Sequence, residues 1–174
     1  VVMSGRPLDL SWEDQNIPAI VQAWHLGSKS GDAIAQVLYG DYNPSGKLTM
    51  SFPRNVGQVP VYYNFKNTGR PSTSIEQVTN SGYADVENSP LYAFGYGLSY
   101  TEFKYSDFEI SSSTITKDSK INASIKVTNT GNYKGEEVVQ LYLRDIVGSI
   151  ARPMKELKGF EKIELNPGES KIVN

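Results

Sequence analysis

The chain has 174 residues, with 17 basic and 19 acidic side chains and a formal net charge of −2. That length allows one or two domains and excludes a complete (β/α)8 barrel of about 250 residues, and the charge balance excludes the basic field that a nucleic-acid partner requires. The chain has no cysteine, which excludes disulfides, zinc-thiolate sites and thiol nucleophiles.

The first part of the chain alternates strand and helix patterns, which is typical of an α/β layer arrangement. Residues 1–3 and 20–24 are predicted as short buried strands, and Ser11 is expected to cap a helical turn between them. The chain begins with neither an initiator Met nor the layout of a signal peptide, and no apolar run is long enough to span a membrane. We therefore expect the N-terminus to be a cut end and no membrane to be involved.

The most regular helix pattern follows. Four apolar residues share one stripe of this helix: Ala33, Ile34, Val37 and Leu38. Ser30 is expected to be its N-cap and Gly40 its left-handed C-cap. A tight turn over 43–46 then leads to a predicted strand over 47–52, which ends at Pro53.

From Pro53 to about Tyr100 neither a helical nor a strand period persists. Pro and Gly recur there, and tyrosines occur at positions 62, 63, 83, 92, 96 and 100. Because an ordinary loop has about 4 to 6 residues, such a segment is either a functional excursion or an ordered strap packed across domains. The tyrosines could line a binding site, but Gly95 and Gly97 beside Tyr96 indicate close backbone approach and favour interdomain packing.

The last part of the chain alternates with period two, which predicts half-buried strands. Strands are predicted over 121–128, 137–143 and 157–165, and a last one begins at Ser170. Charge density changes at the same place, with 15 charged residues in 1–103 and 21 in 104–174. Only about five strands can be counted where a β-sandwich needs about seven, so we expect the chain to be incomplete at both ends.

Motifs spread along nearly the whole chain give a resemblance to a known family. They are MSGRPL at 3–8, AIAQVLYGDYNPSGKL at 33–48, PLYAFGYGLSYT at 90–101, and VTNTG, GEEVVQLY, KELKGF and PGES at 127–131, 135–142, 155–160 and 167–170. With these motifs in this order, the chain resembles the C-terminal portion of a glycoside hydrolase of family 3, of the β-glucosidase or β-xylosidase type. It departs from the usual pattern at His25-Leu26-Gly27 and at Ser30-Gly31, which affects the shape of one strand-end loop.

The resemblance implies a partial, three-layer α/β sandwich followed by a truncated all-β sandwich of the immunoglobulin or fibronectin type III-like class. Residues 1–60 would be the C-terminal part of the α/β sandwich domain, 61–103 a Tyr/Gly/Pro-rich interdomain strap, and 104–174 the fibronectin type III-like sandwich. The missing N-terminal part of the same protein would be its main partner, and homo-oligomerisation is left open.

The resemblance also implies an activity. Retaining glycosidases use two carboxylates, one as nucleophile and one as acid/base, and in this family both precede the segment that resembles Ser4 to Pro7. The full-length protein is therefore expected to hydrolyse terminal non-reducing β-D-glucosyl residues of an oligosaccharide or glycoside without a cofactor or metal. These 174 residues alone are expected to be inactive. A periplasmic or secreted location is favoured over a cytoplasmic one.

Three residues are candidates for substrate binding, each with a structural alternative. Trp24 and Tyr83 could stack on sugar rings or pack in the interior, and His25 could act as a base or be a hydrogen-bonded structural group. The adjacent acids Glu136 and Glu137 are expected to lie on opposite faces of a strand as solvated surface residues. The alternative function is a non-catalytic carbohydrate-binding or scaffolding module with a β-sandwich.

Overall fold

The structure is a computed structural model that describes residues 1–71 and 81–174; the part of the predicted strap over 72–80 lies outside them. Its helices are α1 (Ser11–Asn16) and α2 (Ser30–Tyr39), with a 3-10 turn at Val56–Gln58. Its strands are β1 (Phe103–Ile110), β2 (Ala123–Asn129), β3 (Gly135–Leu143), β4 (Glu156–Leu165) and β5 (Ser170–Val173). An α/β part therefore precedes an all-β part, as the sequence predicts.

The two segments predicted as strands near the N-terminus pair through a single β-bridge. Val2 and Gln22 form a parallel bridge, in which the amide of Val2 donates to the carbonyl of Val21 and the amide of Ala23 donates to the carbonyl of Val2, both at 2.8 Å. The prediction of strands over 1–3 and 20–24 was therefore wrong in extent, although the parallel pairing that an α/β layer requires is present.

Both predicted N-caps were wrong, because each serine is the first helical residue. The N-cap of α1 is Leu10, and the Ser11 hydroxyl instead donates to the carbonyl of Arg54 at 2.7 Å. The N-cap of α2 is Lys29, with no side-chain capping bond. The C-cap prediction is confirmed: Gly40 has φ of 82° and its amide donates to Val37, a conformation that glycine adopts without the steric cost of a Cβ.

The predicted strand over 47–52 is an irregular extended segment. It runs beside residues 91–96, with the amide of Leu48 donating to Tyr96, the amide of Gly95 donating to Leu48 and a single antiparallel bridge between Phe52 and Tyr92. Gly95 has φ of 82°, which interrupts a regular ladder. Phe52 is only 1% exposed, so the segment lies in the interior even though it is not a strand.

The all-β part consists of two antiparallel sheets with the strand orders β1-β2-β5 and β3-β4. Apolar side chains from both sheets meet in one cluster: Val127, Val139, Ile163, Leu165 and Val173, with Phe103 and Ile125 against it. The alternation in β2 is confirmed by Val127, which is fully buried, whereas Leu141 and Leu143 near the end of β3 remain about half exposed. β1 was not predicted.

Asn129, the last residue of β2, connects the two sheets through its side chain. It is fully buried, and its amide nitrogen donates to the carbonyls of Tyr133 and Leu165 at 2.8 and 3.0 Å. Its amide oxygen accepts from the Thr101 hydroxyl at 2.7 Å and from the Gly131 amide at 3.1 Å. One side chain therefore satisfies the backbone of the β2–β3 turn and of β4.

Candidate functional site

Two loops lie side by side where the parallel pairing ends. The bridge between Val2 and Gln22 places the loop that begins at Ser4 next to the loop that contains Trp24 and His25. Ligands of open α/β sheets bind outside the carboxyl ends of parallel strands, because loops from neighbouring strands converge there. These strand-end loops are therefore the first candidate site, and they bring together two of the three predicted residues.

Gly5 and His25 are in direct contact across the two loops. A Cβ atom on Gly5 would lie 2.6 Å from Nε2 and 2.8 Å from Cδ2 of His25, so a side chain there would displace the ring from this position. His25 is exposed on its other side. The imidazole is thus supported by backbone and open to a ligand or another part of a larger protein.

Trp24 packs against an interior ring and has an unusual backbone. Its φ is 54°, a conformation that costs a bulky L-residue energy and clusters at functional sites. The indole ring is tilted against the ring of Phe52, with centroids 5.8 Å apart, and the side chain is half-buried. Interior packing therefore accounts for only part of the surface of this side chain.

Gln22 carries a buried acceptor that has no donor. Its amide nitrogen donates to the Ser4 hydroxyl at 3.2 Å, and that hydroxyl donates to the carbonyl of Arg6 at 2.8 Å. The amide oxygen of Gln22 is buried and accepts no hydrogen bond within the part of the chain that the structure describes. Buried polar atoms are nearly always paired, so this oxygen is an exception among the described residues.

The third predicted residue, Tyr83, lies in a different place, in a second groove of about 630 Å³. Its hydroxyl donates to the carbonyl of Gln58 at 3.1 Å and its amide donates to Asn88 at 3.0 Å. Tyr62 and Phe65, which are 64% and 55% exposed, line the same groove. The structure therefore separates Tyr83 from the strand-end loops and surrounds it with other aromatic rings.

Several of the other tyrosines join segments that are far apart in sequence. Tyr92 stacks on Tyr96 with centroids 5.5 Å apart and donates to a carboxylate oxygen of Asp14 in α1 at 2.5 Å. Burial and that hydrogen bond raise the pKa of Tyr92 to about 12. Tyr63 stacks on Phe94 at 4.1 Å. These contacts are of the packing type that the sequence favours for the strap.

Glu136 and Glu137 point to opposite faces of β3, as alternation requires, but neither is a freely solvated surface residue. Glu137 is only 7% exposed and lies 3.0 Å from Nζ of Lys47, and it accepts from the Tyr105 hydroxyl at 2.8 Å. The prediction of a solvated surface was wrong for Glu137, since residue type in a strand does not reveal a cation supplied from ninety residues away.

Glu136 is held by three side chains. Its Oε2 atom accepts from Nζ of Lys162 at 2.7 Å, from the Tyr42 hydroxyl at 2.9 Å and from the Ser45 hydroxyl at 3.2 Å. The hydrogen bond from Lys162, followed by that from Tyr42, lowers the pKa of Glu136. A carboxylate held ionised in this way cannot serve as the general acid of a glycosidase, which needs a raised pKa.

Comparison with known proteins settles the family. A family model described as the glycosyl hydrolase family 3 C-terminal domain matches residues 1–100, and one described as a fibronectin type III-like domain matches residues 137–174. The chain belongs to glycoside hydrolase family 3. The fold expected from the motifs, an α/β part followed by a fibronectin type III-like sandwich, is confirmed.

Curated relatives of this family 3 chain carry two activity names. It is 56% identical over 175 residues to a periplasmic beta-glucosidase of Salmonella typhimurium, covering 100% of the chain and 23% of that protein. It is 45% identical over 178 residues to a beta-xylosidase of Formosa agariphila, covering 100% of the chain and 23% of that protein. The chain spans about a quarter of the length of these relatives.

A solved beta-glucosidase structure has the same fold as the family 3 chain. The crystal structure of beta-glucosidase from Listeria innocua in complex with glucose superposes with a TM-score of 0.90 at 42% identity, covering 98% of this chain and 24% of that one.

Within residues 1–71 and 81–174, no cluster of three metal-ligating side chains occurs. In the same residues no helix is long and apolar enough to cross a bilayer.

Proposed function

We propose that these residues complete a retaining, exo-acting β-glycosidase that removes terminal non-reducing β-D-glucosyl residues. The observation that carries this proposal is the 56% identity to a periplasmic beta-glucosidase over the whole of this chain. Family membership supports glycoside hydrolysis as the chemistry, and the 45% identity to a beta-xylosidase makes a terminal β-D-xylosyl group the closest competing substrate. A periplasmic location is proposed on the same relative.

In this proposal the nucleophilic Asp and the acid/base Glu lie outside residues 1–174. The two most enclosed acids described above support it, because Glu136 is bonded to Lys162 and Glu137 to Lys47. A retaining mechanism needs two carboxyl groups about 5 to 5.5 Å apart with different proton affinities. In this proposal Glu136 and Glu137 are structural groups, and the catalytic pair belongs to another part of the protein.

Residues 1–60 supply the strand-end loops in this proposal, 61–103 form the strap and 104–174 form the sandwich that supports them. The exposed side of His25 and the exposed part of Trp24 would then face the sugar or the catalytic part of the protein. The Tyr83 groove would bind an aglycone or a further sugar unit. An aromatic ring suits either ligand, since it stacks on an apolar C–H face.

Two measurements test the proposal. Residues 1–174 and the natural full-length protein are each assayed with 4-nitrophenyl β-D-glucoside and β-D-xyloside. We expect turnover by the full-length protein only, faster on the glucoside, with the β-anomer of glucose released first. Enzyme-like turnover by residues 1–174 alone would show that the catalytic carboxylates lie within them, and a preference for the xyloside would overturn the choice of sugar.

A second candidate function is a non-catalytic carbohydrate-binding or scaffolding module. The exposed aromatic rings of the Tyr83 groove favour it, because such rings bind sugars without chemistry. An open reading frame that begins just before Val1 supports the module, and one that extends several hundred residues upstream supports the enzyme.

A further inference from the structure

A third surface, which neither the strand-end loops nor the Tyr83 groove includes, is lined by tyrosines. It is an open groove of about 850 Å³ between the end of α2 and the start of β3. Four tyrosines line it: Tyr39, Tyr42, Tyr100 and Tyr133. We call it the tyrosine groove. Its volume is within the range of about 300–1,000 Å³ that small-molecule sites occupy.

Two of the four rings are fixed in place by their hydroxyl groups. Tyr42 donates to Oε2 of Glu136 at 2.9 Å, and Tyr100 donates to the carbonyl of Val37 at 2.7 Å. Each nevertheless leaves close to half of its surface exposed, 44% for Tyr42 and 46% for Tyr100. Their ring positions are thus set before a ligand arrives, which reduces the entropy that binding costs.

Three other polar side chains of the groove can bind a ligand. Tyr39 and Tyr133 are 85% and 64% exposed, and among the described residues neither hydroxyl has a hydrogen-bond partner. The carboxylate of Asp41 also lines the groove and has no ion pair within the same residues. Two aromatic faces, two hydroxyls and one carboxylate are therefore available together.

The charges of the groove select the kind of ligand. Glu164 is neutralised by Lys134 at 2.7 Å and Glu136 by Lys162 at 2.7 Å, which leaves Asp41 as an uncompensated negative charge. A phosphate or a uronic acid would be repelled by that carboxylate. A neutral sugar presents apolar C–H faces to the rings and adjacent hydroxyls that can donate to a carboxylate.

We propose that the tyrosine groove binds a neutral β-linked gluco-oligosaccharide. The choice of a glucan over other neutral sugars rests on the proposed function, whereas the preference for a neutral sugar over an anionic one rests on the groove itself. Tyr39 and Tyr133 stack on pyranose rings, and Asp41 accepts from sugar hydroxyls.

The test uses the natural full-length protein and cellotetraose with sulfur in its glycosidic linkages, which a glycosidase does not hydrolyse. Excess isofagomine blocks the catalytic centre, and binding to the remaining sites is measured by isothermal titration calorimetry. We expect Tyr133→Ala and Tyr39→Ala each to weaken binding about fivefold, the change that loss of one stacked ring produces. Asp41→Asn is expected to weaken binding less and to make a tetra-uronate ligand bind better than before.

The control is Phe108→Ala, because Phe108 is 60% exposed on β1 and lies outside the groove. It should leave binding unchanged and keep the parental rate on 4-nitrophenyl β-D-glucoside. Equal binding by Tyr133→Ala and the parent overturns the proposal. So does binding of a proline-rich peptide in preference to the sugar, or a dimer that dissociates on Tyr39→Ala without any sugar binding. Failure of catalysis in the parent with retained binding of the thio-cellotetraose would overturn only the proposed function.

Discussion

Nζ of Lys47 lies 3.0 Å from Oε2 of Glu137, and the two side chains are only 15% and 10% exposed. Lys47 follows the turn after α2, whereas Glu137 belongs to β3 of the sandwich. The same ammonium donates to the carbonyl of Gly97 at 2.8 Å. One buried cation therefore joins the α/β part, the segment before β1 and the sandwich, so the sandwich is an integral part of this fold.

Replacing Lys47 by Met is expected to destabilise the protein by about 3 kcal/mol, because it leaves the Glu137 carboxylate buried without its cation. The measurement is urea unfolding followed by tryptophan fluorescence, to which both Trp12 and Trp24 of the α/β part contribute. The double variant Lys47→Met with Glu137→Leu should lose less than the two single variants together, since it buries no unpaired charge. Additive losses in that cycle would contradict a coupled pair.

Replacing Gly95 by Ala tests the close approach between the strap and the sandwich. A Cβ atom there would collide with Gln140 and Tyr142 of β3, and φ is 82°. Gly40 is the matched control, since its φ is also 82° but no atom lies within 4 Å of the added Cβ. Gly40→Ala should cost about 1–2 kcal/mol for the left-handed backbone alone. Gly95→Ala should cost clearly more in thermal unfolding, and equal losses would show that the strap does not need this contact.

Replacing Asn129 by Asp tests the side chain that links the two sheets. The substitution keeps the shape but removes the two N–H groups that bond to Tyr133 and Leu165, and it adds a buried charge. Leaving buried carbonyls unsatisfied costs about 1–3 kcal/mol each, so we expect a loss of several kcal/mol by urea unfolding. Asn122→Asp is the control, because Asn122 is exposed in the loop before β2. Similar midpoints for the two variants would contradict this role.

The sequence predicts those elements whose signals are local. Gly40 ends α2 because a left-handed residue is needed there, and Val127 faces the core because alternation in β2 fixes its side. The strand over 47–52 was predicted from residue type, yet its partner is the segment around Tyr92 and Tyr96, where Gly95 interrupts pairing. Ser11 was predicted from residue type as well, yet its hydroxyl donates to the distant carbonyl of Arg54 and does not cap its own helix.

The candidate sites depend more strongly on distant residues. Trp24 ends a predicted strand and His25 follows it, which is a local signal for a strand-end loop, and the structure places Gly5 against His25. Lys47, Tyr42 and Ser45 carry no local sign that they hold Glu137 and Glu136, because about ninety residues separate each pair. The tyrosine groove was missed for this reason, as its walls come from α2 and β3.

Glu136 makes the stability of the protein depend on pH. The hydrogen bond from Lys162 lowers the pKa of Glu136 in the folded state. In the unfolded chain the pKa of a glutamate is about 4.3, so near that pH the folded protein binds fewer protons at this residue than the unfolded chain does. The stabilisation from this ion pair is therefore present above that pH and is lost as the pH falls through the lower pKa of the folded state.

The variant Glu136→Gln should be less stable than the parent at pH 7 and approach the parent's stability at pH 3, as measured by thermal unfolding across that range. Glu109→Gln is the control, because Glu109 is exposed on β1 and has no ion pair in the described ranges. A gap between Glu136→Gln and the parent that stays constant from pH 7 to pH 3 would show that the bond to Lys162 contributes nothing to the acid sensitivity.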